Sequence, residues 1–201
     1  MPTPTDLANL DRCAHRVYLD AAGDSAEKLP ASAFLELLWE SGLLHEDRII
    51  AALGAVDAKI SDDKAERIAE TRRLMAAGTP LIYHAYFQKG DLRGEPDLLE
   101  RVEHPSAFGT FAYIPSDIKN STVWEKRKEP TPKEKFLLQL SAYAELLEDA
   151  GHAGRHGAQV LGAGQHPALR LEDAQEAAAR LLPDPLALRP LQLQQAAGVV
   201  R

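Results

Sequence analysis

The sequence contains very little cysteine and has no long apolar run. Cys13 is the single cysteine among 201 residues, which excludes an internal disulfide and any zinc or iron–sulfur site built only from cysteines of this chain. No run approaches the roughly 18 apolar residues of a membrane-spanning helix, and the N-terminus lacks the basic and apolar regions of a secretory signal. We therefore expect a cytoplasmic protein that does not associate with a membrane.

The sequence also lacks the signature motifs of several large enzyme classes. It contains no GxxxxGK[ST] phosphate loop, no GxSxG nucleophile elbow, no HExxH zinc motif and no CxxC pair. Each of these motifs places a particular reactive group at a particular turn or helix. Their absence argues against a P-loop phosphotransferase, an α/β-hydrolase and a zinc protease.

The composition of the chain is that of an ordinary folded domain. Hydrophobic residues make up 45% and charged residues 26% of the sequence, so wholesale disorder is excluded. The net charge of −7 argues against a surface devoted entirely to nucleic acid, but it leaves room for a local basic strip. Such a strip contains Lys119, Lys126, Arg127, Lys128, Lys133 and Lys135. On charge alone it is either a solvated loop or a phosphate contact.

Apolar periodicity and capping residues predict four helical segments. They span residues 7–22, 32–53, 64–77 and 134–149. We expect Thr5 or Asp6 to cap the first segment and Gly42 to interrupt the second. The last segment carries the clearest apolar stripe in the chain.

Between the third and fourth helices the pattern predicts an antiparallel meander of three strands, over residues 81–87, 95–102 and 108–119. Pro115 indicates an edge position or a bulge in the third strand. A further strand is expected at 160–162 and an alanine-rich helix at 171–182. The expected fold is therefore mixed α/β (α+β), with one domain over residues 1–182 and an irregular tail over 183–201.

Asp117, Ile118 and Lys119 form the strongest chemical feature. Side chains alternate along a strand, so Asp117 and Lys119 should share one face while Ile118 points into the core. The meander would bring Asp97, on the preceding predicted strand, beside Asp117. Two adjacent carboxylates repel unless a cation neutralises them, and Mg²⁺ prefers such oxygen ligands. Lys119 would then orient or deprotonate an attacking water. The structural alternative is a surface salt bridge on an edge strand.

Two helices add polar side chains to this picture. Gln139 and Tyr143 are four residues apart and share a helix face. The structural alternative for this pair places Tyr143 in the core and Gln139 at its boundary. His45 and Glu46 offer an imidazole and a carboxylate on an earlier helix, where a lone histidine is more often a surface or boundary residue.

Taken in order, these residues resemble the RecB-like nucleases of the PD-(D/E)xK superfamily. The matching segments are RCAHRVYLD at 12–20, His45-Glu46, GEPDLL at 94–99, Asp117-Ile118-Lys119 and QLSAYAELLE at 139–148. The resemblance extends from about residue 7 to about residue 175 and is closest to an uncharacterised branch. In that branch the nuclease module often precedes further domains, in some members a helicase. The resemblance implies a restriction-endonuclease-like core.

The resemblance also implies a role for each matching residue. Asp97 and Asp117 would be metal carboxylates and Lys119 the catalytic lysine. His45 would complete the metal shell, or Glu46 would take its place.

Gln139 and Tyr143 would position the lysine or the nucleic acid, and the strip with Lys126, Arg127 and Lys128 would contact phosphates. Cys13 matches the first of four cluster-binding cysteines in some relatives. The other three cysteines are missing, so we expect no iron–sulfur cluster.

The function expected from these residues is hydrolysis of DNA phosphodiester bonds with Mg²⁺ or Mn²⁺, in repair or recombination. RNA stays an alternative substrate, and the choice between exonuclease and endonuclease stays open. One alternative is a degenerate nuclease-like domain that binds nucleic acid or a partner protein without cutting. Another is a small helical interaction protein in which the Asp-x-Lys pattern is accidental. A family module would be expected to continue past residue 183, so a truncated chain is a further interpretation.

Overall fold

The computed structural model describes residues 2–125, 131–149, 159–162 and 169–170. Three expectations concern other parts of the chain and lie outside the described residues. They are the placement of Lys126, Arg127 and Lys128, the helix at 171–182 and the tail at 183–201.

Five α-helices lie within the described residues. They are α1 (Pro4–Arg12), α2 (Ala14–Ala22), α3 (Ala33–Leu53), α4 (Lys64–Ala76) and α5 (Glu134–Asp149), with a short 3-10 turn at Ser25–Glu27. Ser32 and Asp63 begin α3 and α4 by accepting hydrogen bonds from first-turn amides. Gly54 ends α3 in the left-handed conformation. Local helix signals therefore explain most of these boundaries.

Three details of the helix prediction are wrong. The expected helix over 7–22 is two helices that meet at Cys13, where the backbone is extended. Its cap is Thr3, whose hydroxyl accepts the Asp6 amide while Asp6 Oδ2 accepts the Thr3 amide, a reciprocal capping box. Gly42 does not interrupt α3, because one glycine in a helix costs only about 1 kcal/mol and its neighbours favour helix.

Eight strands complete the described secondary structure. They are β1 (Val56–Asp57), β2 (Leu81–Tyr83), β3 (Phe87–Lys89), β4 (Leu92–Gly94), β5 (Leu98–Val102), β6 (Ala112–Lys119), β7 (Gln159–Gly162) and β8 (Leu169–Arg170). Six form one sheet in the order β1-β2-β5-β6-β7-β8, and β3 pairs with β4 as a separate hairpin. The predicted meander exists as β2, β5 and β6, which pair antiparallel. The parallel pairs β1–β2 and β6–β7 make the sheet mixed.

Two predicted strands differ from the structure. The run over 81–87 is divided at His84, whose φ is +54°, so that β2 joins the main sheet and β3 joins the hairpin. The run over 95–102 begins only at Leu98, and Asp97 lies in the connection before β5 rather than on a strand. Pro96 explains the late start, because it has no N–H and it restricts the residue before it.

The expectation of an edge position or bulge for Pro115 is also wrong. β6 lies between β5 and β7, and Pro115 pairs with Leu99 in regular register. Parallel pairing with β7 begins one residue later, at Ser116. Pro115 therefore lies just outside the ladder on the β7 side, where a residue without an N–H can be tolerated.

The main core lies between the sheet, α4 and α5. It is formed by Ala58, Leu74, Met75, Ile82, Ala85, Phe87, Leu99, Tyr113, Tyr143, Leu146 and Leu147. Gly94 permits the close approach of β4 to α5, because an added Cβ would lie 2.5 Å from Leu146 Cδ1. The mixed α/β class is confirmed. Among the described helices, none combines the length and the apolar content needed to span a bilayer.

Candidate active site

Asp117 and Lys119 lie at the C-terminal end of β6 and share one face of the strand. Lys119 Nζ is 2.5 Å from Asp117 Oδ2. Asp117 is 1% exposed, and within the described residues its Oδ2 makes no hydrogen bond beyond this ion pair. Ile118 between them is buried as well. The motif is therefore a nearly buried charge pair on a central strand, unlike the exposed salt bridge of the structural alternative.

Asp97 reaches this pair from the connection before β5. Its Oδ2 accepts a hydrogen bond from the Ile118 N–H at 2.6 Å, which holds the carboxylate against the end of β6. Burial, and then the neighbouring Asp117 carboxylate, raise the pKa of Asp97 to about 7. Lys119 and the Ile118 amide act in the opposite direction. The structure therefore brings Asp97 and Asp117 together.

Glu46 on α3 belongs to the same group of charges. Its Oε1 accepts a hydrogen bond from the Tyr83 hydroxyl at 2.9 Å. Burial, and then the charge of Asp97, raise the pKa of Glu46. We call Glu46, Asp97, Asp117 and Lys119 the carboxylate–lysine cluster. Burial alone would lower the pKa of Lys119, but the three carboxylates outweigh burial and raise it.

Gln139 and Tyr143 connect α5 to the cluster. Gln139 Nε2 donates to Asp117 Oδ1 at 3.4 Å and lies 3.5 Å from the Tyr143 oxygen. The Tyr143 hydroxyl donates to the Glu95 carbonyl oxygen at 3.0 Å. Burial is the main cause that raises the pKa of Tyr143, so this phenol stays a donor. Both residues are buried. Gln139 contacts Asp117 itself, and Tyr143 holds the segment that carries Asp97.

His45 is not joined to the cluster by any contact of the described residues. It precedes Glu46 on α3, and its buried Nε2 has no hydrogen-bond partner in the described part of the chain. Of the two alternatives, Glu46 is the residue whose charge interacts with Asp97. Within the described residues, no three His, Cys, Asp or Glu side chains already form a metal-binding group.

His84 lies beside the cluster, and the sequence analysis missed it. It is the only described residue other than glycine with a positive φ, a conformation that costs roughly 1–2 kcal/mol. Its ring stacks on Tyr83 with centroids 3.5 Å apart, and its Nδ1 lies 3.1 Å from Asp57 Oδ1. Strain of this kind concentrates at functional sites. The surrounding run, LIYHAYF, contains no turn residue that could have signalled it.

Basic side chains gather on one side of the cluster. The pKa of Lys135 is lowered by burial and then by the positive charges of Lys133, Arg12 and Lys119. The predicted strip begins in this region but continues beyond the described residues. The Glu125 N–H donates to the Thr131 carbonyl oxygen at 2.8 Å.

Comparison with known proteins adds no relative. No protein-family model matches the chain, and no curated protein matches it either. The relation to RecB-like nucleases therefore stays a prediction that rests on the motifs and their order.

The donor set of the cluster fits a hard divalent cation. All three acidic side chains offer carboxylate oxygens, which Mg²⁺ and Mn²⁺ prefer over softer ligands. Among the described residues, Lys119 is the one cation paired with the buried Asp117 Oδ2, and the Asp117 charge is, after burial, the next cause that raises the pKa of Asp97. Both observations indicate more negative charge than Lys119 alone compensates. Asp97, Asp117 and Glu46 are the residues that could hold such an ion.

Proposed function

We propose that this chain is a metal-dependent phosphodiester hydrolase of the RecB-like type that acts on DNA. The supporting observation is the carboxylate–lysine cluster, in which Asp97 and Asp117 lie side by side and Lys119 pairs with Asp117. Asp97, Asp117 and Glu46 would hold Mg²⁺ or Mn²⁺. When bound, the ion would supply a Lewis acid for the phosphate and lower the pKa of the attacking water.

The proposed role of Lys119 follows from its charge. Its pKa is raised by the surrounding carboxylates, so the side chain stays an ammonium at neutral pH. An ammonium cannot accept the proton of the attacking water, which excludes the base role in this charge state. Lys119 would instead donate hydrogen bonds that orient the water and stabilise negative charge on the phosphate oxygens.

Gln139 and Tyr143 would act as positioning residues. Gln139 holds one oxygen of Asp117 and therefore limits the rotation of that carboxylate. Tyr143 holds the Glu95 carbonyl, two residues before Asp97. Both contacts reduce the freedom of the metal carboxylates, and precise placement of reacting groups contributes strongly to catalysis.

The nucleic-acid part of the proposal is supported by the basic side chains near Lys119. The positive charges of Lys133 and Arg12 lie close enough to Lys135 to help lower its pKa, after the effect of burial. Such a group can contact the phosphate backbone although the whole chain carries a net charge of −7. Lys126, Arg127 and Lys128 would extend this contact.

A second candidate is a nuclease-like domain that binds nucleic acid without cutting it. It is favoured by the ion pair of Lys119 with Asp117 Oδ2, which engages an oxygen that a metal would use. It is also favoured because the described residues contain no preformed three-ligand group.

The test is a cleavage assay on single- and double-stranded DNA with Mg²⁺ or Mn²⁺, combined with calorimetric Mn²⁺ titration. Lys119→Ala should bind Mn²⁺ but lose cleavage by about 100-fold or more, whereas Asp117→Asn should lose both. Lys89→Ala is the matched control, because Lys89 is also ion-paired, with Glu145 at 3.3 Å, but lies outside the cluster.

Cleavage by the wild type and by Lys89→Ala, together with its loss in Lys119→Ala, would support the enzyme. A wild type that binds DNA but neither binds Mn²⁺ nor cuts would instead favour the second candidate. Absence of DNA binding, Mn²⁺ binding and cleavage would contradict both.

A further inference from the structure

A second recess shares Tyr143 with the candidate active site. It is a cavity of about 380 Å³ bordered by the first turns of α1 and α4 and by residues 93–95. Tyr143 and Glu95, whose carbonyl oxygen accepts the Tyr143 hydroxyl, both line it. None of the residues of the carboxylate–lysine cluster lines this cavity.

Two residues that line the cavity, Tyr86 and Arg67, each carry a buried donor atom without an acceptor among the described residues. Tyr86 is 6% exposed, and its hydroxyl has no hydrogen-bond partner. Arg67 is 7% exposed, and its Nε has none either, although its Nη2 donates to the His84 carbonyl at 3.2 Å and pairs with Glu95. The Arg67 guanidinium lies 4.8 Å from the centre of the Tyr86 ring. Buried donors without acceptors are costly and rare, so they call for an acceptor group here.

The charges around the cavity favour an anion. Glu95 neutralises Arg67, and Asp62 has its own partner in Lys59, at 3.7 Å. Lys64 and Arg93 also line the cavity, and within the described residues neither side chain has an ion pair. Among the described residues, two positive charges at this site are therefore left without an ion-pair partner.

The first turn of α1 also lines the cavity, at Pro4 and Thr5, but it adds little to this preference. Pro4 has no N–H, and the amides of Thr3 and Asp6 are already bound within the capping box. The preference for an anion therefore rests on the side chains of the cavity.

We propose that this cavity binds an organic phosphate monoester of about nucleotide size. The phosphate would interact with Arg93, Lys64 and the Tyr86 hydroxyl. The volume exceeds what a free phosphate ion needs and falls within the roughly 300–1,000 Å³ of small-ligand sites. A mononucleotide and the phosphorylated end of a nucleic-acid strand offer the same chemistry. The proposal does not depend on cleavage by the carboxylate–lysine cluster.

The test is calorimetric titration of the full chain in metal-free buffer with four probes. Adenosine 5′-monophosphate is compared with adenosine, and a 5′-phosphorylated oligonucleotide is compared with its 5′-hydroxyl form. The wild type should bind a phosphorylated probe at least tenfold more tightly than its unphosphorylated counterpart. The double variant Lys64→Gln/Arg93→Gln should lose that preference, because charged hydrogen bonds to phosphate are lost.

Two further variants test the Tyr86 hydroxyl and provide a control. Tyr86→Phe keeps the ring that packs under Arg67 and removes only the hydroxyl, so affinity should fall severalfold while the fold persists. Arg72→Gln is the matched control, since Arg72 is an exposed arginine of α4 that does not line the cavity. It should bind like the wild type.

Each result decides the proposal. Tighter binding of adenosine monophosphate than of adenosine identifies a small-molecule site. Tighter binding of only the phosphorylated oligonucleotide, relative to its hydroxyl form, identifies a site for a strand end. Either result supports the proposal if the double variant abolishes the difference. The proposal is overturned if phosphorylation does not improve binding of either probe. It is also overturned if Arg72→Gln weakens binding as much as the double variant does.

Discussion

Replacing Asp117 with asparagine should lower the pKa of Asp97. In the metal-free protein, burial and then the Asp117 charge raise that pKa from its ordinary 3.8 to about 7. Asparagine has nearly the size and shape of aspartate, so burial changes little while the negative charge disappears. Lys119 would then lie beside Asp97 without its present partner, and its positive charge favours the ionised form of Asp97.

The expected shift is one to two pKa units. Two unit charges about 5 Å apart interact by about 3 kcal/mol at an effective dielectric constant of about 20, which corresponds to about two units. The contribution of burial remains, so the pKa of Asp97 should stay above its ordinary value. Titration of the Asp97 carboxyl carbon by NMR, in buffer with a chelator, measures the shift directly.

The same change should alter how stability depends on pH. A folded-state pKa above the unfolded value means that the folded state binds the proton more tightly. The contribution of Asp97 to stability is therefore complete below about pH 4 and is lost as the pH rises through about 7. In Asp117→Asn this loss should end at a lower pH. Urea unfolding of both proteins between pH 4 and pH 8 tests the difference.

Lys119→Met provides the opposite perturbation. It removes the cation that favours ionised Asp97, so the pKa of Asp97 should rise further. Opposite shifts in the two variants would establish that the cluster is electrostatically coupled. If Asp117→Asn leaves the pKa unchanged, or if both variants shift it in the same direction, burial alone explains the wild-type value and the coupling is refuted.

Four further changes test the packing, the helix cap of α1 and the Tyr143 hydroxyl by urea unfolding. Gly94→Ala should lower the free energy of unfolding by about 1–3 kcal/mol, because its Cβ would lie 2.5 Å from a side-chain carbon of α5. Gly42→Ala has nothing within 4 Å of the new Cβ. It should therefore stabilise α3 by up to about 1 kcal/mol. Thr3→Ala should cost about 1 kcal/mol by removing the capping box of α1. Tyr143→Phe should lower the free energy of unfolding by about 1 kcal/mol. It should reduce cleavage less than Lys119→Ala does, because the ring still packs when the hydroxyl is lost. Equal stabilities for Gly94→Ala and Gly42→Ala would contradict the packing argument.

Elements defined by local signals could be predicted from the sequence. The apolar stripe predicts α5 with its bounds, and a cap at Asp62 or Asp63 together with Gly78 brackets α4, where the structure has Asp63 as the cap. Strand alternation alone places Asp117 and Lys119 on one face, since a side-chain period of two requires no knowledge of the partner strands. The meander of β2, β5 and β6 could be predicted because these strands follow one another along the chain, with only the β3–β4 hairpin inserted after β2. These features depend on neighbours close in sequence, and sequence patterns report such neighbours well.

The partners of those residues depended on contacts between distant segments. Glu46, rather than His45, interacts with Asp97 because α3 contacts β6 through one particular face. Helix periodicity does not specify which face of the helix meets the sheet. Asp97 is placed by a loop that follows the β3–β4 hairpin, so strand alternation could not locate it.

The cavity beside Tyr143 and the left-handed backbone of His84 exist only where several elements converge. The sequence by itself determined the class of fold, the main helices and the Asp-x-Lys face. Tertiary packing decided which charges meet, because burial and electrostatic coupling depend on distances across the folded chain.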